Sequence, residues 1–304
     1  MKKIFKKVIK GIIHPNLVAS LLLEKCGKSM PDKPYLQWQF FLRTGKKLNL
    51  DHPATFNEKL QWLKLYNRKD EYTKMADKLE ARRYVSEKIG ENHLIPLLGV
   101  WDNFDDIDFE KLPNQFVLKT NHDSGGLVIC KNKKSLNTMK AKKIIESHLK
   151  NNYYYGGREW VYKNIKPRIV AEKYMTDESG DQLKDYKIFC FNGTPKLIQV
   201  DFGRFTANQK RNYYSPDWEL QKSVGPEKNT DQPMEKPGRL DRLLEIAGIL
   251  SAGLPHLRVD LYVIHDNIYF GEMTFYDGDG FDPYRPQWDK KLGDWIALPQ
   301  EPLK

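Results

Sequence analysis

The sequence is poor in cysteine, with only Cys26, Cys130 and Cys190 among 304 residues. An odd number of cysteines at wide spacing provides neither a framework of disulfide bonds nor a cysteine-rich metal site. Such sparse use of cysteine is typical of proteins in a reducing compartment. We therefore predict a cytoplasmic protein.

The chain also lacks a hydrophobic run long enough to span a membrane. Lysines interrupt the apolar residues of its start, MKKIFKKVIKGIIHPNLVASLLL, and no A-x-A cleavage pattern of a signal peptide follows. Six of these apolar residues fall on one helical face with lysines opposite: Ile4, Phe5, Val8, Ile9, Ile12 and Ile13. A basic amphipathic helix of this kind lies either on the inner face of the plasma membrane or on the protein's own body. Both interpretations stay open.

Several common site signatures are missing as well. There is no Walker A loop, no G-x-S-x-G elbow and no H-E-x-x-H helix, which argues against P-loop, α/β-hydrolase and zinc-protease chemistry. The formal net charge of +10 predicts attraction to anions such as a nucleotide, an acidic polymer or an anionic membrane. Because the basic residues are spread along the chain without a nucleic-acid-binding motif, we expect no nucleic-acid partner.

Two apolar runs near the C-terminal end, 257–264 and 268–275, flank a short polar break. This pattern predicts two antiparallel strands joined by a tight turn. Each strand carries one acid, Asp260 and Glu272, and strand alternation places Arg258 on the face of Asp260. Two carboxylates on neighbouring strands suit Mg²⁺, which is usually shared with phosphate oxygens. A plain cluster of ion pairs is the alternative.

A second candidate is the loop Thr-Asn-His-Asp-Ser-Gly-Gly at 120–126, between predicted strands at 116–119 and 127–130. Glycines without a Cβ allow backbone N–H groups to approach phosphate oxygens closely. An ordinary hairpin loop is the alternative. Lys119 at the end of the first strand favours the phosphate loop, because a lysine at a buried strand end needs an anionic partner.

The remaining elements follow from periodicity, capping and turn signals. We predict that most tyrosines of the aromatic stretch 153–162 pack in the core. A wall of the substrate site is the alternative. We predict helices over 35–42, 55–66, 70–90, 138–150 and 237–252, strands over 94–101, 168–175, 184–191 and 196–202, a long polar excursion over 206–236 and an irregular packed closure over 281–304.

This order of parts resembles the ATP-grasp superfamily and, more closely, its TupA-like branch, which is associated with synthesis of teichuronopeptide and other bacterial surface polysaccharides. The resemblance runs from about Thr55 to Pro299. It is carried by the phrases FNEKLQWLKLY, ADKLEARRYV, LPNQFVLKTNHDSGG, IVAEKYM, DYKIFCFNG, RVDLY, GEMTFYDGDGF and LGDWIALP.

The resemblance implies an α+β ATP-grasp fold, in which two antiparallel-sheet lobes clasp a nucleotide beside a helical N-terminal region. We expect four regions: a basic amphipathic helical region at 1–50, a helical pre-grasp region at 51–112, the small lobe with the phosphate loop at 113–175, and the large lobe with the metal site at 176–304.

The resemblance also implies roles for individual residues. Arg258, Lys119 and Arg204 form the expected catalytic set. Nucleotide binding is expected from the strand lysine, the phosphate loop, the hinge between the lobes and the next strand: Lys119, Asn121, Ser124, Gly125, Gly126, Glu172, Lys173, Met175 and Lys187. Magnesium binding is expected from Asp260, Glu272 and Thr274.

One departure from the family concerns the metal site. Many relatives carry Glu-x-Asn where this chain has Glu272-Met-Thr274. A threonine hydroxyl is a weaker and shorter ligand than an amide oxygen, so Thr274 binds the metal through water or not at all. Asp277 and Asp279 are alternative ligands. The ribose-binding acid is also open among Asp177, Glu178 and Asp181.

The implied activity is an ATP- and Mg²⁺-dependent carboxylate–amine ligase that acts through an acylphosphate. The expected partners are an acidic glycan or its lipid-linked sugar precursor and an amino acid or amine. Two alternatives remain. One is a glycosyltransferase of the same pathway, with Asp277-Gly-Asp279 as a metal-binding D-x-D. The other is a non-catalytic polyanion-binding protein whose acids form plain ion pairs.

Overall fold

The structure, a computed structural model, describes residues 15–177, 183–202, 210–230 and 234–300. The predicted N-terminal amphipathic helix, Arg204 and the ribose candidates Glu178 and Asp181 lie outside these ranges. Within them, no helix is both long and apolar enough to cross a bilayer.

The helices and strands follow one another along the chain as follows. The helices are α1 (Pro15–Cys26), α2 (Asp32–Thr44), α3 (Phe56–Tyr66), α4 (Asp70–Ala76), α5 (Ala81–Ile89), α6 (Thr138–Leu149), α7 (Tyr154–Gly157), α8 (Leu240–Ser251) and α9 (Pro286–Trp295). The strands are β1 (Leu97–Trp101), β2 (Phe116–Thr120), β3 (Leu127–Cys130), β4 (Ile169–Lys173), β5 (Asp185–Phe191), β6 (Thr194–Phe202), β7 (Lys210–Tyr214), β8 (Leu220–Gln221), β9 (His256–Ile264) and β10 (Asn267–Thr274).

The strands form two antiparallel sheets, as predicted. The small sheet has the order β1-β4-β2-β3, and the large sheet has the order β10-β9-β5-β6-β7-β8. β1 falls within the expected pre-grasp region 51–112, yet it pairs with β4 through Gly99 and Ala171. The small sheet therefore begins earlier in the chain than residue 113.

Each sheet has its own hydrophobic core, covered by one helix. On the small sheet, α6 packs Ala141 and Ile145 against β2 and β3. On the large sheet, α8 buries Leu243, Ile246 and Leu250, whose spacing of three and four residues makes one helical stripe that packs on β9 and β5.

The turns and caps that the sequence predicts are present. The capping box of α3 forms, because the Thr55 hydroxyl accepts a hydrogen bond from the Glu58 backbone N–H, and the Glu58 carboxylate accepts one from that of Thr55. The β9–β10 turn places both His265 and Asp266 at positive φ, 47° and 62°. That geometry matches the right-handed twist of the strands that it joins.

Three expectations differ from the structure. The helix predicted over 70–90 is broken into α4 and α5, because Asp77 takes an extended conformation with ψ of 115° and accepts a hydrogen bond from the Leu79 N–H at 2.8 Å. The excursion predicted over 206–236 contributes β7 and β8 to the large sheet. The closure predicted as irregular contains α9, whose first residue, Pro286, has a φ suited to a helix start.

Candidate active site

A polar cavity of about 330 Å³ lies between the 120–126 loop and the face of the large sheet. Its floor comes from β5, β6, β7, β9 and β10. Its walls come from the segments around 153–162 and 276–282. Six predicted site residues reach it directly or from just beneath its floor: Ser124, Lys187, Arg258, Glu272 and Thr274 line it, and Asp260 lies behind Lys187 and Arg258.

The floor is built from charged residues that the strand register brings together. Asp260 on β9 is paired with Glu272 on one side and with Lys187 on the other. The Arg258 guanidinium, two residues earlier on the same strand, donates two hydrogen bonds to the Asp260 carboxylate at 2.7 and 2.8 Å. It also donates to Glu272 at 3.3 Å and to Asp277. We call Lys187, Arg258, Asp260, Glu272 and Asp277 the floor cluster.

The charges of the floor cluster hold one another ionised in spite of burial. Burial alone would raise the pKa of Asp260, but Arg258 and Lys187 outweigh it and hold that pKa at about 2. Burial would likewise lower the pKa of Arg258, yet Asp260 and Asp277 raise it well above its usual value. Loss of one member would therefore leave a buried charge without its partner.

The floor cluster fits a metal ion that is shared with phosphate. The Glu272 side chain is 42% exposed towards the cavity, whereas that of Asp260 is 2% exposed and bound to Arg258 and Lys187. Among the described residues, no three histidine, cysteine or acidic side chains are placed to hold a metal ion by themselves. Mg²⁺ usually takes one or two carboxylates and completes its shell with phosphate oxygens and water, so Glu272 is suited to it as a ligand, whereas Asp260 accepts three hydrogen bonds from Arg258 and Lys187 and supports the site from behind.

The alternative metal ligands are engaged elsewhere. The Asp277 carboxylate accepts hydrogen bonds from Arg258 and, at 2.6 Å, from the Tyr284 hydroxyl. Asp279 forms an ion pair with Arg43 at 3.7 Å. These contacts also weaken the D-x-D interpretation, because the first aspartate of that motif already has two donors.

The predicted hinge residues lie on the small sheet, outside the cavity lining. The Lys119 ammonium donates to the Glu172 carboxylate at 2.6 Å, and Arg82 donates to the same group at 3.4 Å. Glu172 is thus the anionic partner that Lys119 needs in this structure. The side chain of Lys119 stays 22% exposed. Lys173 is exposed and Met175 is half-buried just beyond β4.

Asn121 does not have the geometry expected of a phosphate-loop side chain. It is fully buried, and its amide N–H₂ donates to the Asp77 carboxylate at 2.9 Å and to the Lys166 carbonyl at 3.1 Å. Its carbonyl oxygen accepts from the Arg168 N–H at 2.7 Å. The side chain therefore anchors the loop to α4 and β4 and points away from the cavity.

The rest of the 120–126 loop is held by its own side chains. Asp123 binds the Thr120 hydroxyl and the ring of His148, and its carboxylate is buried. Gly125 has a φ of +101°, and a Cβ on Gly126 would stand 1.9 Å from the Thr120 hydroxyl oxygen. The two glycines are thus required by the shape of the turn, which leaves Ser124 at its tip to face the cavity.

Further residues of the cavity include two tyrosines, for which a substrate wall was the alternative to core packing, and two acids that the sequence did not predict. Tyr153 and Tyr162 line the cavity, whereas Tyr154 between them is buried, so the aromatic stretch supplies both a wall and core packing. Burial raises the pKa of both wall tyrosines, which keeps their hydroxyls protonated. Glu159 and Asp282 also line the cavity. The sequence gives no periodic signal for these acids, because both lie in irregular segments.

Lys64 on α3 holds two walls of the cavity together. It is fully buried, and its ammonium donates to the carbonyls of Gly157 at 2.7 Å and Asp279 at 2.6 Å and to the Gln61 side chain at 3.1 Å. Burial lowers the pKa of Lys64 to about 8. A helix of the N-terminal region thus positions the segments that carry Tyr153, Glu159 and Asp279.

Comparison with known proteins identifies one family. The family described as TupA-like ATPgrasp matches residues 58–297. Solved structures that resemble the chain include D-alanine–D-alanine ligase from Bacillus anthracis with ATP (17% identity, TM-score 0.41, 66% of this chain and 55% of that one). They also include N5-carboxyaminoimidazole synthetase from Staphylococcus aureus with ADP (16% identity, TM-score 0.42, 74% of this chain and 53% of that one). A third is D-alanine–D-alanine ligase from Helicobacter pylori (13% identity, TM-score 0.42, 80% of this chain and 70% of that one).

The chain spans about half the length of the first two of these structures. A search of curated proteins finds no match. The family match covers most of the chain and agrees with the two-sheet architecture and with the order of motifs. The chain belongs to the TupA-like ATP-grasp family, which confirms the family and the α+β ATP-grasp fold predicted from the sequence.

Proposed function

We propose that this protein is an ATP- and Mg²⁺-dependent carboxylate–amine ligase that works through an acylphosphate. The observation that carries the proposal is the floor cluster, in which Arg258 and two acids of adjoining strands meet at the base of a cavity. Ser124 at the tip of the 120–126 loop faces the same cavity from the other lobe. Such an arrangement suits a triphosphate held between a cationic floor and a backbone loop.

Each part of the cavity has a role in this proposal. Glu272, with Asp260 behind it, would hold Mg²⁺, which when bound neutralises phosphate charge. Arg258 and Lys187 offer positive charge where the transferred phosphoryl group carries negative charge. Ser124 and the glycine N–H groups bind phosphate oxygens. Thr274 lines the same wall and contacts the metal through water.

In this proposal, the nucleotide base and ribose bind on the side of the small sheet. Lys119, Glu172, Lys173 and Met175 lie there, together with Asp177, whose carboxylate accepts a hydrogen bond from the Lys184 N–H at 3.2 Å. Binding of ATP requires Lys119 to exchange Glu172 for a phosphate oxygen. Arg82, already 3.4 Å from Glu172, remains as the partner of that carboxylate.

The substrates that we propose are a carboxylate and an amine, one of them on an acidic surface polysaccharide or its lipid-linked precursor. The carboxylate attacks the γ-phosphate, and the amine then displaces phosphate from the activated carbonyl. A water-poor cavity protects the acylphosphate from hydrolysis. The support for the glycan is the family to which the chain belongs, together with a net charge of +10 that favours an acidic partner.

Contact with the cytoplasmic membrane surface is part of the proposal. The described residues include ten exposed large apolar side chains, and six of them lie on α1 and α2: Leu17, Val18, Leu21, Leu22, Trp38 and Phe41. Leu22 and Trp38 are 57% and 56% exposed. An apolar patch that directly follows a lysine-rich start is suited to an anionic bilayer.

Binding to vesicles tests this contact. We expect the native chain to sediment with vesicles of phosphatidylglycerol and phosphatidylcholine but not with phosphatidylcholine alone. The double variant L21S/L22S should bind several-fold more weakly, because it removes apolar area from the patch. Ile129→Ser, at an apolar position on β3 with 53% exposure, is the matched control. Equal loss in both variants, or binding that ignores lipid charge, would contradict the contact.

A nucleotide panel tests the ligase proposal. Thermal shift is measured with ATP, ADP, GTP and a UDP-sugar, each with and without Mg²⁺, on the native chain and on Glu272→Ala. ATP with Mg²⁺ should stabilise only the native chain. Asp217→Ala, at an exposed position on the large lobe, should behave like the native chain. Stabilisation by the UDP-sugar in place of ATP would favour the glycosyltransferase, and equal stabilisation of native chain and Glu272→Ala would remove Glu272 from the site.

A further inference from the structure

The cavity has an acid-rich end that the residues proposed for nucleotide and metal do not use. It is formed by Glu159 and the segment 277–282, beside the rings of Tyr153 and Tyr162. Seven acidic residues line the whole cavity. Five of them have a hydrogen-bond donor or a cationic partner: Asp123, Asp201, Glu272, Asp277 and Asp279.

The other two acids, Glu159 and Asp282, receive no N–H donor and form no ion pair among the described residues. Glu159 is 2% exposed, lines the cavity, and has its carboxyl against that of Asp279. Asp282 is half-buried on the other side of the turn at Gly278. A buried carboxylate without a partner is costly, so both side chains would gain from a cation placed in the cavity.

The protonation of the two acids agrees with a missing partner. Burial, followed by the nearby charge of Asp279, raises the pKa of Glu159 well above its usual value. Burial and the charge of Asp277 raise the pKa of Asp282 to about 7. Lys64 near Glu159, and Arg211 and Arg258 near Asp282, lower these pKa values only in part, so for neither acid does a cation outweigh burial as Arg258 and Lys187 do for Asp260.

The surroundings favour an organic ammonium ion over a metal. Tyr153 and Tyr162 pack edge to face, with ring centroids 5.2 Å apart, and form an aromatic wall next to Glu159. Aromatic faces attract ammonium groups and accommodate an alkyl stem. Mg²⁺, in contrast, dehydrates reluctantly and prefers oxygen ligands in octahedral geometry, which two aromatic rings do not provide.

We propose that Glu159 and Asp282 bind the amine substrate of the ligase as a primary ammonium ion, with Tyr153 and Tyr162 against its carbon stem. The inference rests on the proposed function and assigns the amine, not the carboxylate, to this end of the cavity. The floor cluster and the acid-rich end meet at Asp277, which is bound to Arg258. The amine would therefore stand beside the place where the acylphosphate forms.

The chemistry of the second half-reaction follows from this placement. The ammonium ion gives one proton to the carboxylate of Asp282 or Glu159 and becomes a neutral amine. Its nitrogen then forms the C–N bond to the acyl carbon, and the C–O bond to phosphate breaks. Phosphate leaves with the electron pair of that bond and takes the second proton of the nitrogen. Carboxylates without a bound donor are suited to the first transfer.

Calorimetric titration of the full chain tests the inference with ethylammonium as the probe. The protein is first saturated with Mg²⁺ and a non-hydrolysable ATP analogue. Propionamide, neutral and of similar size, is the control ligand. Ethylammonium should bind and propionamide should not. Glu159→Gln and Asp282→Asn should each weaken ethylammonium binding by about fivefold or more, since a charged hydrogen-bond partner is lost. Both should leave the affinity for the nucleotide within about twofold.

The outcomes distinguish the ammonium site from the ligase function on which it rests. Failure of the native chain to bind the nucleotide would overturn the ligase function. The ammonium site is overturned if the nucleotide binds but ethylammonium does not, or if propionamide binds equally well. It is also overturned if both variants bind ethylammonium like the native chain. If Glu159→Gln weakens the nucleotide and its Mg²⁺ as much as ethylammonium, the acids belong to a metal site instead. Asp241→Asn, an exposed acid on α8, is the matched control variant.

Discussion

The β9–β10 hairpin and the 120–126 loop face the same cavity and are built in opposite ways. On the hairpin, polar side chains project into the cavity from rigid strands, and their partners lie on neighbouring strands. In the loop, the side chains of Asn121 and Asp123 are taken up by protein partners, Asp77 for Asn121, and Thr120 and His148 for Asp123. The loop thus presents Ser124 and its backbone to the cavity. The hairpin acts through its side chains, and the loop acts through its shape.

From this contrast we expect that a substitution in the hairpin lowers the stability of the protein more than one in the loop. Arg258→Met removes the cation shared by Asp260 and Asp277, so two buried carboxylates lose their main partner. We expect a loss of about 3–5 kcal/mol in the free energy of unfolding, measured by urea denaturation. Arg242→Met, which breaks only an exposed helical pair with Glu245, should cost under about 0.5 kcal/mol. Similar losses of stability in the two variants would contradict the mutual stabilisation of charges in the floor cluster.

Asn121→Ala tests whether the loop depends on its anchor. The substitution leaves the Arg168 N–H without its partner and removes one of the donors to the Asp77 carboxylate. We expect a cost of about 2–3 kcal/mol, with faster proteolysis near residue 121 than elsewhere. The exposed neighbour Asn151→Ala should change stability by less than about 0.5 kcal/mol. An unchanged stability in Asn121→Ala would show that the loop is held by Asp123 alone.

The acid limb of the stability profile tests the floor cluster. The pKa of Asp260 in the folded chain is about 2, below the ordinary aspartate value of 3.8. Its contribution is therefore complete above about pH 4 and is lost as the pH falls towards 2. The shift corresponds to about 2 kcal/mol. Relative to the native chain, Asp260→Asn should show a flatter decline over this window in urea denaturation, whereas Asp217→Asn should decline like the native chain.

Ser124→Ala is expected to have the smallest effect on stability. The hydroxyl of Ser124 faces the cavity, and the loop is held by other residues. The free energy of unfolding should change by less than about 0.5 kcal/mol. Affinity for ATP with Mg²⁺ should fall by about threefold to tenfold, for one lost hydrogen bond to phosphate. A large loss of stability with unchanged affinity would reverse the roles assigned to this residue.

The sequence was sufficient for the parts that depend on local pattern and strand alternation. Alternation placed Arg258 and Asp260 on one face, and the polar break between two apolar runs located the β9–β10 turn. The family resemblance supplied the fold. The break between α4 and α5 could not be predicted, because Asp77 is extended to meet Asn121, which lies 44 residues later.

The residues that form the cavity walls could not be predicted from the sequence, for a similar reason. Tyr153, Tyr154 and Tyr162 belong to one aromatic stretch, and only the tertiary structure decides which of them packs in the core. Glu159 and Asp282 line one cavity although 123 residues separate them in the chain, and Lys64 holds the Gly157 and Asp279 carbonyls of the two segments that carry them. The acid-rich end is therefore a product of long-range packing.

The position of Lys64 has a consequence for any attempt to trim the protein. All residues proposed to bind phosphate, metal and amine lie after position 112, so a shortened chain starting there would retain every one of them. It would lose α3, and with it the ammonium group that ties the Gly157 and Asp279 carbonyls into one wall. Such a fragment would keep the reacting groups and lose the chamber that keeps water away from them.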